Sequence, residues 1–394
     1  MQEHSLYLHI PFCRHRCSYC DFNTYAGLEN LIPDYVSALC LEIELLAASA
    51  GEKLPVHTVF FGGGTPSLLP ASELERILRA LESSFHLQPG LELTLEANPG
   101  TLNLSYLKTL HGWGFNRLSL GMQSAQPGEL HLLERQHSFN DVHKSVHWAR
   151  AAGFHNISLD LIFGLPFQTL DDWKNTLERA LRLRPDHFSL YALTIEHGTP
   201  MQSWVAKGML PEPNPDVAAD MYEHSSERLE DAGYYQYEIS NWARKNTNGD
   251  LLACRHNLQY WRNLPYLGFG AGAHGYARSV RTANVLAPAA YIRRCAHGKL
   301  QVFPRTPATA EARQVDRETE IGETMMMGLR LTEEGISNSI FSQRFHATLT
   351  DIFAEQIDRL LALELLEWTG EQDEILRLTP RGRLLGNQVF MEFI

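Results

Sequence analysis

Residues 5–20 read SLYLHIPFCRHRCSYC: a short run alternating apolar and polar side chains, a proline, and then Cys13, Cys17 and Cys20 within eight positions. The alternation from Ser5 to Ile10 predicts a strand, and the spacing Cys-x-x-x-Cys-x-x-Cys puts three thiols on one tight loop at its end. Three thiolates so spaced wrap three corners of a cubane 4Fe–4S cluster and leave the fourth iron open to a ligand. Structural zinc sites pair two Cys-x-x-Cys knuckles far apart in sequence, and this chain has no second knuckle. Zinc held with His15 or a distant ligand, or three unrelated buried thiols, are the alternatives.

Five further units of the same kind follow. Strands are expected at Pro55–Phe61, Leu91–Glu96, Arg117–Gln123, Asn156–Ile162 and Asp186–Leu193. Between them lie helical patterns: Val36, Leu39, Cys40, Ile43 and Ala47 share one face, Leu74, Ile77, Leu78, Leu81 and Phe85 another, and Trp173, Leu177 and Leu181 a third. Strands alternating with helices imply a parallel sheet with right-handed crossovers, and six units suffice for a partial barrel. The chemistry-bearing residues fall at carboxyl ends of these strands: the cysteine loop, then Gly62-Gly63-Gly64-Thr65-Pro66, Glu96, Gln123 and Asp160. That is the face on which parallel βα folds gather their sites. Singly, Glu96 reads equally as a solvent-facing strand residue, and Gln123 or Asp160 as a satisfied structural polar group. Together they point to one cleft. The glycine run lacks the Lys-Ser/Thr of a phosphate loop and the spacing of a dinucleotide fold; it reads as backbone that lets a ligand approach closely, with Thr65 adding a hydroxyl, or as a plain tight turn.

The cysteine spacing, the aromatic Tyr19 before the last cysteine and the glycine run after the second strand resemble the radical S-adenosylmethionine enzymes. The resemblance implies a partial (β/α)6 TIM-like barrel. It also implies that S-adenosylmethionine chelates the open iron, and that an electron from the reduced cluster cleaves the sulfonium to a 5′-deoxyadenosyl radical, the protein serving to orient the cofactor. The order and spacing of Tyr7, Gly63, Gly64, Thr65, Glu96, Gln123, Arg135 and Asp160 are similar to the oxygen-independent coproporphyrinogen III oxidase branch. By that resemblance these residues, with Tyr19, line the S-adenosylmethionine pocket. The carboxylates would face ribose hydroxyls or the ammonium group, and Arg135 an anionic group. Arg135 alone reads as a surface helix charge.

Two departures separate the chain from the oxidase. Position 22, where the oxidase pattern has a further cysteine, is Phe22, and only twelve residues precede Cys13. Both features resemble the haem chaperones that share the fold. So does His256-Asn257-Leu258-Gln259-Tyr260-Trp261, which matches their His-Asn-x-x-Tyr-Trp signature. Imidazole is a good axial haem ligand, aromatic rings pack on a macrocycle, and Arg255 or Arg262 suits propionates. Cys254 is the alternative ligand, and an aromatic loop packed on the barrel is the plainer alternative. The resemblance implies a haem chaperone that binds a 4Fe–4S cluster, S-adenosylmethionine and haem. Its partners would be a haem-acceptor protein, respiratory haem proteins among the candidates, and an electron donor for the cluster. No residue is assigned as catalytic. The alternative is the oxidase activity, oxidative decarboxylation of the propionates of coproporphyrinogen III.

The remaining chain bounds these readings. A formal charge of −12 over 394 residues argues against a broad grip on nucleic acid or anionic lipid. No apolar run reaches the roughly 20 residues of a membrane span, and no signal peptide is recognised, so a cytoplasmic location is expected. Between Ala192 and about residue 300 the sequence reads as irregular. From Asp316 it turns helical, with Ile321, Met325 and Leu329, then Phe353, Ile357, Leu360 and Leu361, followed by two short strands, Leu365–Trp368 and Glu374–Leu378. This resembles a small, mainly α winged-helix-like domain. With nine Arg, no Lys and sixteen Asp or Glu in residues 301–394, a lid or docking role fits better than DNA binding. Met325-Met326-Met327 reads as core packing. The expected division is 1–240 for the barrel, 241–300 for a connecting segment with the His256 motif, and 301–394 for the small domain.

Overall fold

The computed structural model describes residues 3–371 and 374–394. The chain forms two compact units, the first of residues up to Arg228 with Pro265–Arg313, the second of Leu229–Leu264 with Gln314–Ile394. The segment 241–300 set apart in the sequence is therefore shared between them.

In the first unit β1 (His4–Ile10), α1 (Ile32–Ala50), β2 (Pro55–Gly63), α2 (Ala71–Ser84), β3 (His86–Ala97), α3 (Leu104–Gly112), β4 (Arg117–Gln123), α4 (Phe139–Ala152), β5 (Asn156–Phe163), α5 (Leu170–Arg182) and β6 (His187–Ala192) follow in order. Each strand pairs in parallel with the next, with Tyr7 opposite Phe60, Phe60 opposite Thr94, Glu96 opposite Ser119 and Asp160 opposite Ser189. The second edge of β1 is taken, also in parallel, by β7 (Tyr266–Phe269), so the six strands form an open barrel. Strands β8 (His274–Ala277) and β9 (Val280–Asn284) continue antiparallel from β7, and α6 (Pro288–Ala296) closes the return.

Alternation explains the layers. Leu6, Leu8 and Ile10 on β1 are fully buried, as are Val36, Leu39 and Ile43 on α1. The intervening Ser5, Tyr7 and His9 belong to a polar interior. There Thr58 Oγ1 donates to Ser5 Oγ at 2.6 Å, Ser119 Oγ donates to Asp160 at 3.0 Å, and Ser158 Oγ lies 2.9 Å from His187 Nδ1. Helix starts are local: Ser138 with Asp141, and Thr169 with Asp172, form capping boxes on α4 and α5. Glu42 on α1, fully buried, ties the returning segment to the barrel. It accepts from Gly270 N–H (2.9 Å), Asn284 Nδ2 (2.8 Å), Tyr291 Oη (2.6 Å) and Thr306 Oγ1 (2.7 Å).

The stretch from 193 to 300 is ordered, contrary to the expectation. Besides the return elements it holds helices Pro200–Ala206, Pro215–Asp231 and Arg255–Trp261 and strands Tyr235–Glu238 and Asn241–Ala243. Three of its helices begin at proline, where the missing N–H costs nothing; these prolines are starts, and in sequence they read as breaks.

In the second unit the order is helix Arg317–Gly328, strand Ile336–Ser337, helices Asn338–Phe345 and Leu349–Ala362, and the hairpin Leu366–Thr369 with Ile375–Leu378. This is a winged-helix-like arrangement. Ile321, Met325, Leu329, Ile357, Leu360 and Leu376 share its core. The helix Asn338–Phe345 escaped the sequence reading because it is short; Ser337 Oγ caps it by accepting from Ile340 N–H at 3.4 Å. No helix among the described residues is long and apolar enough to cross a membrane.

Candidate functional site

The cysteine loop is pinned on several sides. Ser18 Oγ donates to Leu132 O at 3.0 Å, Met201 N–H to Ser18 O at 3.0 Å, and Arg16 Nη2 to Cys20 O at 3.2 Å. Asn23 Nδ2 fastens the loop's far end to Ala271 O (3.0 Å) and Leu286 O (2.9 Å). The glycine run is zipped to the same loop, Gly64 N–H donating to Ile10 O and Thr65 N–H to Phe12 O, both at 2.8 Å. Cys13 is buried, Cys17 and Cys20 are half-buried, and all three are free thiols.

Each sulfur has one side chain beside it. Thr65 Oγ1 donates to Cys13 Sγ at 3.6 Å, Arg135 Nη1 donates to Cys17 Sγ at 3.6 Å, and Thr24 Oγ1 lies 3.8 Å from Cys20 Sγ. Burial pushes the Cys13 thiol up to about 11, against the Thr65 hydrogen bond, and pushes Cys20 up as well. Such thiols ionise when a metal centre replaces the proton. Three soft donors on one loop, with hydrogen-bond donors facing the sulfurs, fit an iron–sulfur cluster. His15, one of the ligands that could complete a zinc site, directs Nε2 at Glu134 Oε2, 3.6 Å away.

Beside the loop the strand ends converge. A Cβ on Gly62 would come within 2.9 Å of the Tyr7 ring and 3.2 Å of Glu96 Oε2, and one on Gly64 within 3.0 Å of Cys13 Sγ. Only glycine leaves this cradle open. Gly63 (φ 110) donates its N–H to Glu96 Oε2 at 3.1 Å. Burial, then the charge of Asp160, pushes the Glu96 carboxyl up to about 8. Burial also raises Asp160, against hydrogen bonds from Ser189, Ser119 and Ser158. Tyr7 Oη lies 3.1 Å from His9 Nδ1. Gln123 ends β4 in the left-handed region (φ 63), a strained conformation of the kind found at sites. A Cβ on Gly121 would meet Gln123 Nε2 at 3.0 Å and Arg135 Nη2 at 3.1 Å, so both overhang that glycine. Arg135 is no surface charge: it also donates to Gly121 O at 2.8 Å and to Asn98 Oδ1, and it faces Tyr19.

Eight residues expected at the pocket and the three cysteines are thus brought together in the first unit, with Tyr19 packed against Leu133 and Ile162. The sequence reading passed over Asn98 and Thr24. Asn98 stands two residues after Glu96 at a strand's carboxyl end, which was the signal available for it.

His256 lies in the second unit. Its helix, Arg255–Trp261, follows Cys254, whose N–H donates to Tyr237 Oη at 3.2 Å. His256 is 1% exposed, and its Nε2 lies 2.8 Å from Tyr260 Oη. Trp261 packs beneath the Arg330 guanidinium at 4.3 Å. Arg262 is engaged by Glu334 through bonds of 2.8 and 2.7 Å, and Arg255 is exposed. The motif is therefore a helix, where the plainer sequence alternative was an aromatic loop.

Residues 7–180 match the Radical SAM superfamily model and residues 315–385 the HemN C-terminal domain model. The chain is 38% identical to the heme chaperone HemW of Bacillus subtilis over 99% of both chains. It is 37% identical to the mitochondrial radical S-adenosyl methionine domain-containing protein 1 of Mus musculus, over 93% of this chain and 83% of that one. The structure of coproporphyrinogen III oxidase (HemN) from Escherichia coli superposes with a TM-score of 0.82 at 24% identity, covering 100% of this chain and 90% of that one, and so shares the fold. Full-length similarity at this level, on top of the thiol loop and its glycine cradle, shows that the chain belongs to the HemW family of the radical SAM superfamily.

Proposed function

We propose that the chain is a cytoplasmic haem chaperone: it holds a 4Fe–4S cluster on Cys13, Cys17 and Cys20, binds S-adenosylmethionine in the adjoining cradle, takes up haem at the His256 helix and hands it to an acceptor protein. Superfamily membership implies the cluster and S-adenosylmethionine. The observation that carries the rest is the cysteine loop itself, which offers three thiols and turns Phe22, 62% exposed, outward at the position where the oxidase pattern has a cysteine. Six free cysteines suit a reducing compartment.

The chain's own residues would divide the work by chemistry. Thr65 and Arg135 donate to sulfur; Glu96 and Asp160 present half-buried carboxyls to a cationic ligand; the bare backbone of residues 62–64 lets the ligand lie against the sheet. Once bound and reduced by an external electron donor, the cluster would be the source of an electron for the sulfonium. His256 can offer Nε2 to haem iron only by giving up Tyr260, and Cys254, fully buried, is the alternative ligand.

Anaerobic reconstitution followed by absorption spectroscopy, with and without haem, tests this. A cluster spectrum together with a protein-bound Soret band is expected; a loaded protein that leaves haem free sinks the chaperone reading. Porphyrin formed from coproporphyrinogen III, with 5′-deoxyadenosine, would move the chain to the oxidase activity.

A further inference from the structure

Asn98 stands one residue beyond β3, between two of the side chains that reach the cysteine sulfurs, Thr65 and Arg135. Arg135 Nη2 donates to Asn98 Oδ1, and Asn98 Nδ2 donates to Thr65 Oγ1 at 2.9 Å. At the outer ends Thr65 Oγ1 donates to Cys13 Sγ and Arg135 Nη1 to Cys17 Sγ, each at 3.6 Å. An unbroken line of hydrogen bonds therefore joins two sulfurs of the loop, with Asn98 at its middle.

The place calls for a carboxamide, which accepts on one side and donates on the other. Thr65 is 2% exposed and its hydroxyl has a single proton. With Nδ2–H occupying a lone pair of that oxygen, the proton is directed to Cys13. On the other side, Asn98 Oδ1 and Gly121 O together hold Nη2, which fixes the guanidinium so that Nη1 meets Cys17.

We propose that Asn98 is a positioning residue that keeps Thr65 and Arg135 aimed as donors at the Cys13 and Cys17 sulfurs, and so raises the reduction potential of the cluster those sulfurs hold. The inference rests on the cluster assignment made above. Reduction adds negative charge to the cluster, and donors to its sulfurs stabilise the reduced state more than the oxidised one.

The test compares wild type, Asn98→Asp, Thr65→Val and the double variant, each reconstituted anaerobically and assayed for iron. The reduced fraction is followed by electron paramagnetic resonance against poised potential, without S-adenosylmethionine. Aspartate still accepts from Arg135 but offers Thr65 no donor, so the hydroxyl proton turns to the carboxylate and leaves Cys13. The reduced-to-oxidised ratio at fixed potential should fall about tenfold in Asn98→Asp, equivalent to about 59 mV for a one-electron couple. In the Thr65→Val background the same substitution should add little, since the proton it redirects is already gone. An unchanged potential overturns the proposal, and so does a full further tenfold fall in that background, which would mark a charge acting through space. If Asn98→Asp does not retain iron, Asn98→Ser removes both bonds without adding charge and should show the same fall. A wild-type protein that assembles no iron–sulfur cluster removes the cluster assignment along with this inference; loaded variants with the wild-type potential remove the inference alone.

Discussion

Glu96 holds its proton to about pH 8, because burial and the neighbouring Asp160 both disfavour the carboxylate. In the unfolded chain the group titrates near 4.5. Between those values the native state binds the extra proton, so the stability due to this group is full below about 4.5 and is lost as pH rises through about 8. Glu96→Gln removes the titration. Melting curves of the two proteins, both without cluster, should coincide near pH 5 and separate toward pH 9, the variant being more stable by on the order of 2 kcal/mol. Parallel pH dependences would show that Glu96 is solvated in the apoprotein. At the other site Tyr260 Oη, 2.8 Å from His256 Nε2, competes with any metal for that nitrogen. Tyr260→Phe should therefore tighten haem binding about fivefold, the worth of one hydrogen bond, read as a shift of the Soret titration with an unaltered band position. Unchanged or weaker binding would move the axial ligand away from His256 Nε2.

Among elements, α1 shows what periodicity conveys and what it hides. Val36, Leu39 and Ile43 fall on its buried face as the sequence implies, whereas Cys40 on the same stripe is only half-buried. Glu42, on which periodicity says nothing, is fully buried, because its donors come from residues 270, 284, 291 and 306, far away in sequence. Removing that acceptor leaves several buried donors without a partner, so Glu42→Ala should cost at least about 3 kcal/mol. A lowered urea midpoint with an unchanged slope would be the measurement; an unshifted midpoint would show that water replaces the carboxylate. The same distinction governs how much was legible. Strand β1 announces itself by alternation, and β4 begins and ends where Arg117 and Gln123 imply. The thiols, glycines and carboxylates are legible by their places at strand ends. Asn98 shares that place, two residues after Glu96, but its role is a pair of hydrogen bonds to Thr65 and Arg135 that no spacing encodes. The elements from Tyr235 to Asn284 were missed because each strand is only three to five residues long and carries too few alternations to be recognised.

For the whole molecule, the division into two compact units places Cys13, Cys17 and Cys20 in one and Cys254 and His256 in the other. Each unit has local reasons to fold. The first has its barrel core, and the second packs Ile321, Met325, Leu360 and Leu376 around its own hairpin. The thiol loop is anchored by hydrogen bonds to Leu132, Met201, Ala271 and Leu286, none of which involves a cysteine sulfur. Losing the cluster therefore does not require losing the fold. Cys17→Ala should abolish the iron–sulfur absorbance, because two thiolates poorly retain a cubane, while the variant keeps its melting behaviour and its haem Soret band. His256→Ala should do the reverse, altering the Soret band while iron and sulfide remain at wild-type levels. If Cys17→Ala abolished haem binding in a protein that still melts cooperatively, haem uptake would depend on the cluster itself, and the assignment of haem to the His256 helix would have to give way to a site on the first unit.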